Sequence, residues 1–457
     1  MSATASAQRR IARLAALTAV HRAFHWLHLH QPQLRQWQLE FVRIPAPPFG
    51  ESARAAWFLD RFHTLGLTNV HTDDEGNVLG ELSSAQPETA HHSVQQEPST
   101  APTRRHSAPE GKAQNSPLSL PSSLFPLPSR PPSPCILLSA HLDTVFPDGT
   151  NCEPIESPDN PRIQAPGICD NAAGLSALLG IAAALRYARI APPIPILFCA
   201  NVGEEGEGDL RGMRHLFERG PYRKRIAAAI ILEGSGTSAV VTRALGSLRF
   251  RVTITGPGGH SWNDAGIPNP ILILSQALTQ IASLELPASP LTTINVGHIS
   301  GGTSVNSIPE SATALLDLRS TDSTQLISTA TAIHQILDEI VSSFATHKTT
   351  DGPPKLHIQT IGNRPAATLP DDSLILQTLR ATDRHLSIRT EPRLGSTDAN
   401  IPLSKDIPAI ALGTGGIGGS IHTLQEWYNP TGRETALRRI LLTLLDTTQI
   451  TAENQHS

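Results

Sequence analysis

Two kinds of hydrophobic pattern run along the chain. Continuous apolar runs occupy Ile136–Leu138, Ile194–Phe198 and Ala227–Leu232. Runs of this kind predict strands buried on both faces, as in a mainly parallel sheet covered by helices. Between the first two, Leu175, Leu178, Leu179, Ala182 and Leu185 recur on one helical stripe. Strand, helix and strand in alternation predict an α/β architecture with helices on both faces of the sheet.

The texture changes near Gly246. Arg249 to Thr255 alternates polar and apolar, as a strand with one exposed face does. A helix pattern follows through Ile271, Leu274, Leu278 and Ile281, then strand candidates at Thr292–Ile299 and Ala312–Leu318. A second helix (Leu326 to Ile340) and a strand near Lys355–Thr360 complete the order β-α-β-β-α-β. That order predicts an α+β domain of one open-faced sheet with two helices. It reads as an insertion at 245–361, dividing the first domain into 1–244 and 362–457. The returning chain carries apolar segments at Leu374–Thr382, Ile407–Leu412 and Thr435–Leu445.

The stretch from Ser83 to Pro134 has neither pattern, and 11 of its 52 residues are Pro and 11 are Ser. It predicts a flexible surface insertion between two neighbouring strands, one at Val78-Leu79 and one at Cys135–Leu138. Its segment Pro126–Pro132 suits polyproline II, although a passive tether is the simpler reading. The chain has 457 residues and a formal net charge of −4. It offers no basic surface for nucleic acid and no polybasic membrane anchor. No apolar stretch is long enough to span a membrane. Arg9, Arg10 and the apolar run Ile11–Val20 resemble a signal peptide only superficially. Arg13 interrupts the run, which leads into a histidine-rich helical pattern without a cleavage site. Four cysteines without a CxxC pair point to free thiols in a reducing cytoplasm.

Candidate chemistry clusters after the predicted strands, where open α/β sheets collect ligands. His141 and Asp143 are two residues apart on an extended backbone, so a carboxylate can orient the imidazole. Asp170, in Gly167-Ile168-Cys169-Asp170-Asn171, reads first as a helix N-cap, and also as a carboxylate able to bridge two cations. Glu204 and Glu205 are adjacent carboxylates flanked by glycines. Pointing different ways, one can ligate metal while the other handles protons. Glu233 ends a very apolar run, where a cation would offset the cost of its charge. Gly413–Gly419 could swing His422 back into a site. Mixed His, Asp and Glu donors without cysteine suit zinc, and also manganese or cobalt.

The ordered set HxD, GxxDN, GEE, LEG and a late GxH resembles the zinc aminoacylase/exopeptidase family, which includes peptidase T, carboxypeptidase G, acetylornithine deacetylase and succinyl-diaminopimelate desuccinylase. The resemblance runs from about residue 35 to the C-terminus, apart from the Pro/Ser insertion. It implies two divalent ions, zinc first, held by His141, Asp170, Glu205, Glu233 and His422, with Asp170 as the bridge. It implies Glu204 as general base and Asp143 as the residue that orients His141. The inserted domain takes the family's lid and dimerisation role, which implies a homodimer. Within it, His260 in Gly256–Ser261 would steady the substrate carbonyl. Asn306 in Gly301–Asn306 and Arg319 in Asp317-Leu318-Arg319 would grip the substrate carboxylate. Gly395–Asp398 also matches, in a supporting role. The expected activity is amide hydrolysis of short peptides, with deacylation of N-acyl amino acids as the alternative and non-catalytic peptide binding as a remote one. Cys169 reads as a packed thiol, and His298 and His385 carry no assigned role.

Overall fold

The computed structural model describes residues 3–83, 133–157, 159–344 and 352–455. The Pro/Ser stretch therefore lies almost wholly outside the described residues. At the centre is a nine-stranded sheet. Its order is Thr68–Thr72, Val78–Leu82, Ile196–Asn201, Cys135–His141, Ile226–Leu232, Ala409–Leu412, Ala239–Ala244 and Ala367–Thr368. A ninth strand, Glu391–Gly395, also pairs with Ala239–Ala244. The four strands from Ile196–Asn201 to Ala409–Leu412 run parallel. Antiparallel pairs flank them on both sides. The continuous apolar runs form these central strands because only residues acceptable on both faces fit there. Every residue of Cys135–His141 and Ile196–Asn201 is buried.

Helix Ala172–Ala188 crosses over between these two strands and packs on both. Nearly all of it is buried, because helices Thr18–Leu29, Gln31–Val42 and Arg433–Gln455 cover its outer side. Leu34 sits so close to Gly180 that a Cβ there would lie 2.9 Å from its Cδ2. Ile11, Ala15 and Val20 of the N-terminal run are buried in the same core. The strands on either side of the Pro/Ser stretch are not neighbours, as the sequence had implied. Ile196–Asn201 lies between them, antiparallel to one and parallel to the other. The crossover helix delivers that strand into the gap.

A second core gathers Phe250, Val252, Ile254, Ile273, Leu274, Leu316, Leu318, Ile333 and Leu337. It lies between helices Pro270–Ala282 and Ser323–Ser343 and a four-stranded antiparallel sheet. That sheet runs Thr292–Gly301, Ser311–Ser320, Gly246–Thr255, Lys355–Arg364. The last strand continues four residues past its expected end, through an irregularity between Thr360 and Gly362. Two crossings join this module to the main body, and the buried Asn400 side chain donates to a carbonyl of each. The bonds reach Leu245 O (2.8 Å) and Pro365 O (3.0 Å).

Candidate metal centre and active site

The carboxyl ends of the central strands and the loops beyond them bring His141, Asp170, Glu205, Glu233 and His422 together. His141 closes its strand, and its Nε2 lies 3.1 Å from Asp170 Oδ1 and 3.5 Å from Glu233 Oε1. The other oxygen of Asp170 lies 3.1 Å from His422 Nε2, which is also 3.1 Å from Glu205 Oε1. Asp170 thus faces two donor groups at once. One is His141, Asp170 and Glu233; the other is Asp170, Glu205 and His422. His422 is the half-exposed member, at the mouth. It arrives there through a turn in which Gly415 and Gly416 take φ of 87° and 67°, values that a glycine adopts without penalty.

Asp170 is free to face the site because it is not the helix cap. Asn171 caps Ala172–Ala188, accepting from Gly174 N at 3.1 Å. Its amide also holds the Glu233 strand end, accepting from Gly234 N (3.1 Å) and donating to Leu232 O (2.9 Å). The Asp170–Asn171 peptide is cis. Behind it, the buried carboxylate of Glu426 accepts from the backbone N–H of Gly167, Cys169 and Asp170. Burial raises its pKa to about 7 despite these bonds.

Asp143 departs from its expected geometry. The nearer contact of His141 Nδ1 is the Asp143 backbone carbonyl, at 3.0 Å, with the carboxylate at 3.5 Å. The Asp143 carboxylate instead accepts from Glu204 N (3.0 Å) and Glu205 N (2.7 Å), fixing the paired-glutamate loop. Glu204 Oε1 accepts from Arg364 Nη1 at 2.9 Å, and Arg364 Nη2 donates to the Glu204 carbonyl. Burial holds the Glu204 carboxyl well above its ordinary pKa, against the pull of Arg364. Burial likewise raises Glu233 to about 7 and Asp398 to about 6. Burial opposes charge on His141 too. The carboxylates of Glu233, Asp143 and Asp170 outweigh it, so the imidazole holds its proton far above the usual range. Bonds to Asp170 and Glu205 raise His422 to about 10.

The donor set fits divalent cations. It joins two imidazoles to three carboxylates without a thiolate. Carboxylates brought this close need a cation, and without one the two histidines carry the compensating protons. Glu233 Oε2 is buried and has no hydrogen-bond partner among the described residues, as fits a ligand atom.

A cavity of about 340 Å3 opens over this cluster. Its other wall comes from the smaller module, through Arg249, Arg319 and Arg364. Arg319 Nε and Arg249 Nε donate to opposite oxygens of Asp317, at 2.8 and 3.1 Å. His260 and Asn306 are exposed and do not line the cavity. His260 Nδ1 accepts from Trp262 N at 3.2 Å, and Asn306 Oδ1 accepts from Ser304 Oγ. Asp398 is buried behind the site, accepting from Asn201 Nδ2 at 2.7 Å. Arg249, Arg364, Glu426 and the capping role of Asn171 went unseen in the sequence. For Arg249 a signal existed, since it is a polar position of the alternating strand. For Arg364 and Glu426 no local signal did.

Residues 137–446, two thirds of the chain, match the profile of peptidase family M20/M25/M40. The chain belongs to that family. Among solved structures, a Staphylococcus aureus tripeptidase shares 20% identity at a TM-score of 0.65, covering 91% of this chain and 98% of its own. A Bacillus subtilis protein described as a dinuclear metal-binding M20 peptidase shares 12% identity at a TM-score of 0.59, covering 92% and 98%. These likenesses establish the fold, a main body with an attached smaller domain. A probable carboxypeptidase of Talaromyces marneffei is 27% identical over 220 residues, 43% of this chain and 48% of the relative. Another, from Ajellomyces capsulatus, is 29% identical over 213 residues, again 43% and 48%. The chain spans about half the length of the curated relatives it matches. Among the described residues of this M20/M25/M40 member, no helix is long and apolar enough to cross a membrane.

Proposed function

We propose that the protein is a two-metal-dependent hydrolase that cleaves amide bonds of short peptides. The observation that carries this reading is the position of Asp170, with one carboxylate oxygen toward each of two His/Glu donor groups. His141, Asp170 and Glu233 would hold one ion, and Asp170, Glu205 and His422 the other, zinc being the first candidate for both. Bound there, the ions would supply Lewis acidity to the scissile carbonyl and to a water molecule.

The remaining roles belong to the chain. Glu204 takes a proton from the attacking water and delivers it to the leaving nitrogen. Arg364 fixes the Glu204 carboxylate and its carbonyl, so the base is oriented before substrate arrives. Asp143 keeps the two glutamates diverging by holding both of their backbone N–H groups. Arg319, with Arg249 beside it, lends a guanidinium fork to a substrate carboxylate. Residues 245–361 serve as lid and dimer contact. His260 and Asn306 then reach substrate across the dimer, which accounts for their exposure in the single chain. The four unpaired thiols support a reducing, cytoplasmic setting.

The test is hydrolysis of di- and tripeptides, N-acetyl and N-succinyl amino acids, and N-acylated glutamates by metal-loaded and chelator-stripped protein. Chelator-sensitive peptide cleavage restored by zinc, manganese or cobalt is expected. Preference for an N-acyl amino acid would replace the peptidase reading with deacylation. A protein that holds two ions yet cleaves nothing would favour peptide binding without catalysis.

A further inference from the structure

A second group of metal-ligating side chains lies away from the carboxylate cluster. Helix Thr18–Leu29 carries His21, His25 and His28, spaced i, i+4 and i+7. Residues so spaced share one helix face, with Cβ atoms of successive members about 5–6 Å apart. All three are exposed, while Val20, Ala23, Trp26 and Leu27 hold the opposite face in the core. His385, at the end of helix Leu374–His385, faces them across a depression of about 480 Å3. The four imidazoles line it together with Phe24 and Arg438. His30 does not take part, because its ring stacks on Trp26 and its Nδ1 bonds Trp26 O at 2.9 Å.

The helix Arg433–Gln455 supplies what a bare histidine stripe lacks. Its Glu434 Oε2 lies 2.8 Å from His28 Nδ1. A carboxylate on Nδ1 fixes the ring and leaves Nε2 as the free lone pair, the arrangement that orients metal-bound histidines. The nearby cation Arg438 is paired with Glu434 and laid over the Phe24 ring.

We propose that His21, His25 and His28, joined by His385, form a surface site for a borderline transition-metal ion such as Zn2+ or Cu2+, oriented by Glu434. Imidazole donors without a carboxylate in the ligand set select these ions over magnesium or calcium. The imidazole nitrogens are not yet gathered. Among the described residues, the donor clusters tight enough to share an ion all lie at the carboxylate centre. Gathering them takes rotamer changes in exposed side chains, which move between staggered wells at little cost. The site is independent of the hydrolytic reading.

The test is equilibrium dialysis of the full chain against micromolar Zn2+, with metal counted by mass spectrometry. Asp170→Ala, which should empty the carboxylate centre, is expected to keep this one equivalent. His25→Ala/His28→Ala is expected to lose it, with hydrolytic activity unchanged. Glu434→Gln should weaken it roughly 10–100-fold. In the Asp170→Ala background, Cu2+ should give an electron paramagnetic resonance spectrum with nitrogen hyperfine splitting that the double histidine variant abolishes. The same zinc count and affinity in that variant, or uptake only at millimolar zinc, would overturn the proposal. His21→Gln/His25→Gln, which keeps polarity on the exposed face, repeats the test if the alanine pair folds poorly.

Discussion

Glu204 is where two readings of the site part company at the level of single residues. As a base it handles protons, and as a ligand it would hold an ion. Its carboxylate also lies within 4.8 Å of donor atoms of His141 and Glu205, but it is bonded to Arg364 rather than to either histidine, which favours the first. Glu204→Gln should therefore keep both metal equivalents and lose roughly 10²–10⁴-fold in kcat, the usual worth of a positioned base. Wild-type kcat in a metal-loaded Glu204→Gln protein would remove Glu204 from the chemistry. The cysteines give a second residue-level expectation. Burial pushes Cys135 and Cys169 up to about 12 and Cys199 well above its ordinary value, and raises Cys152. The thiolate is the reactive form. Native protein at pH 8 should show no rapidly titrating thiol toward Ellman's reagent, and all four after denaturation. A fast equivalent in the native state would mean that one of these sites opens.

At the scale of elements, the loop Gly167–Asn171 decides where Asp170 points. It is held from behind by Glu426 and from the helix side by Asn171. Glu426→Ala leaves the N–H groups of Gly167, Cys169 and Asp170 without this acceptor, at a cost of about 1–3 kcal/mol for each group that water cannot reach. The loop should loosen and metal affinity fall about 10–100-fold, as for other residues that orient ligands. Dialysis against buffered zinc would measure this, and unchanged affinity would show that Asp170 is held without Glu426. The same loop shows how far the sequence could be read. Strands such as Cys135–His141 were legible because a strand buried on both faces must be apolar throughout. The ligands were legible because they follow those strands. Glu426 is 256 residues from Asp170 along the chain, so nothing local links them. Arg364 escaped for a related reason. The alternation marking its strand is interrupted at Thr360–Gly362, so the strand's final residues carried no pattern. At Asp170 the neighbouring Asn171 was the better cap, and a neutral amide can both accept and donate where a carboxylate only accepts.

Across the whole molecule, the cavity is shared between two bodies. The ligand cluster belongs to the main core, while Arg249, Arg319 and Arg364 ride on the smaller module. Ion binding should stabilise the main body, because the ligands His141, Asp170, Glu205, Glu233 and His422 come together only in the folded chain. At free metal one hundred times the Kd, each site contributes about 2.7 kcal/mol. Chelation should lower the denaturation midpoint, and zinc should restore it in the wild type, with a smaller recovery in Asp170→Ala because the carboxylate centre no longer contributes. The relative setting of the two bodies rests on two chain crossings, and Asn400 ties them together. Its Nδ2 donates to Leu245 O and Pro365 O, while its Oδ1 accepts from Thr397 N at 2.9 Å. Pro365 follows Arg364 directly, so slack at this crossing reaches the Glu204 contact and the arginine wall together. Asn400→Ala should leave metal content intact, because no ligand touches it. It should lower kcat/KM by roughly tenfold or more, since small misplacements of binding groups are costly in a hydrolytic site. Steady-state kinetics beside a metal count would check this. Loss of stability alone, with kcat/KM unchanged, would mean that the module's setting is fixed elsewhere in the interface.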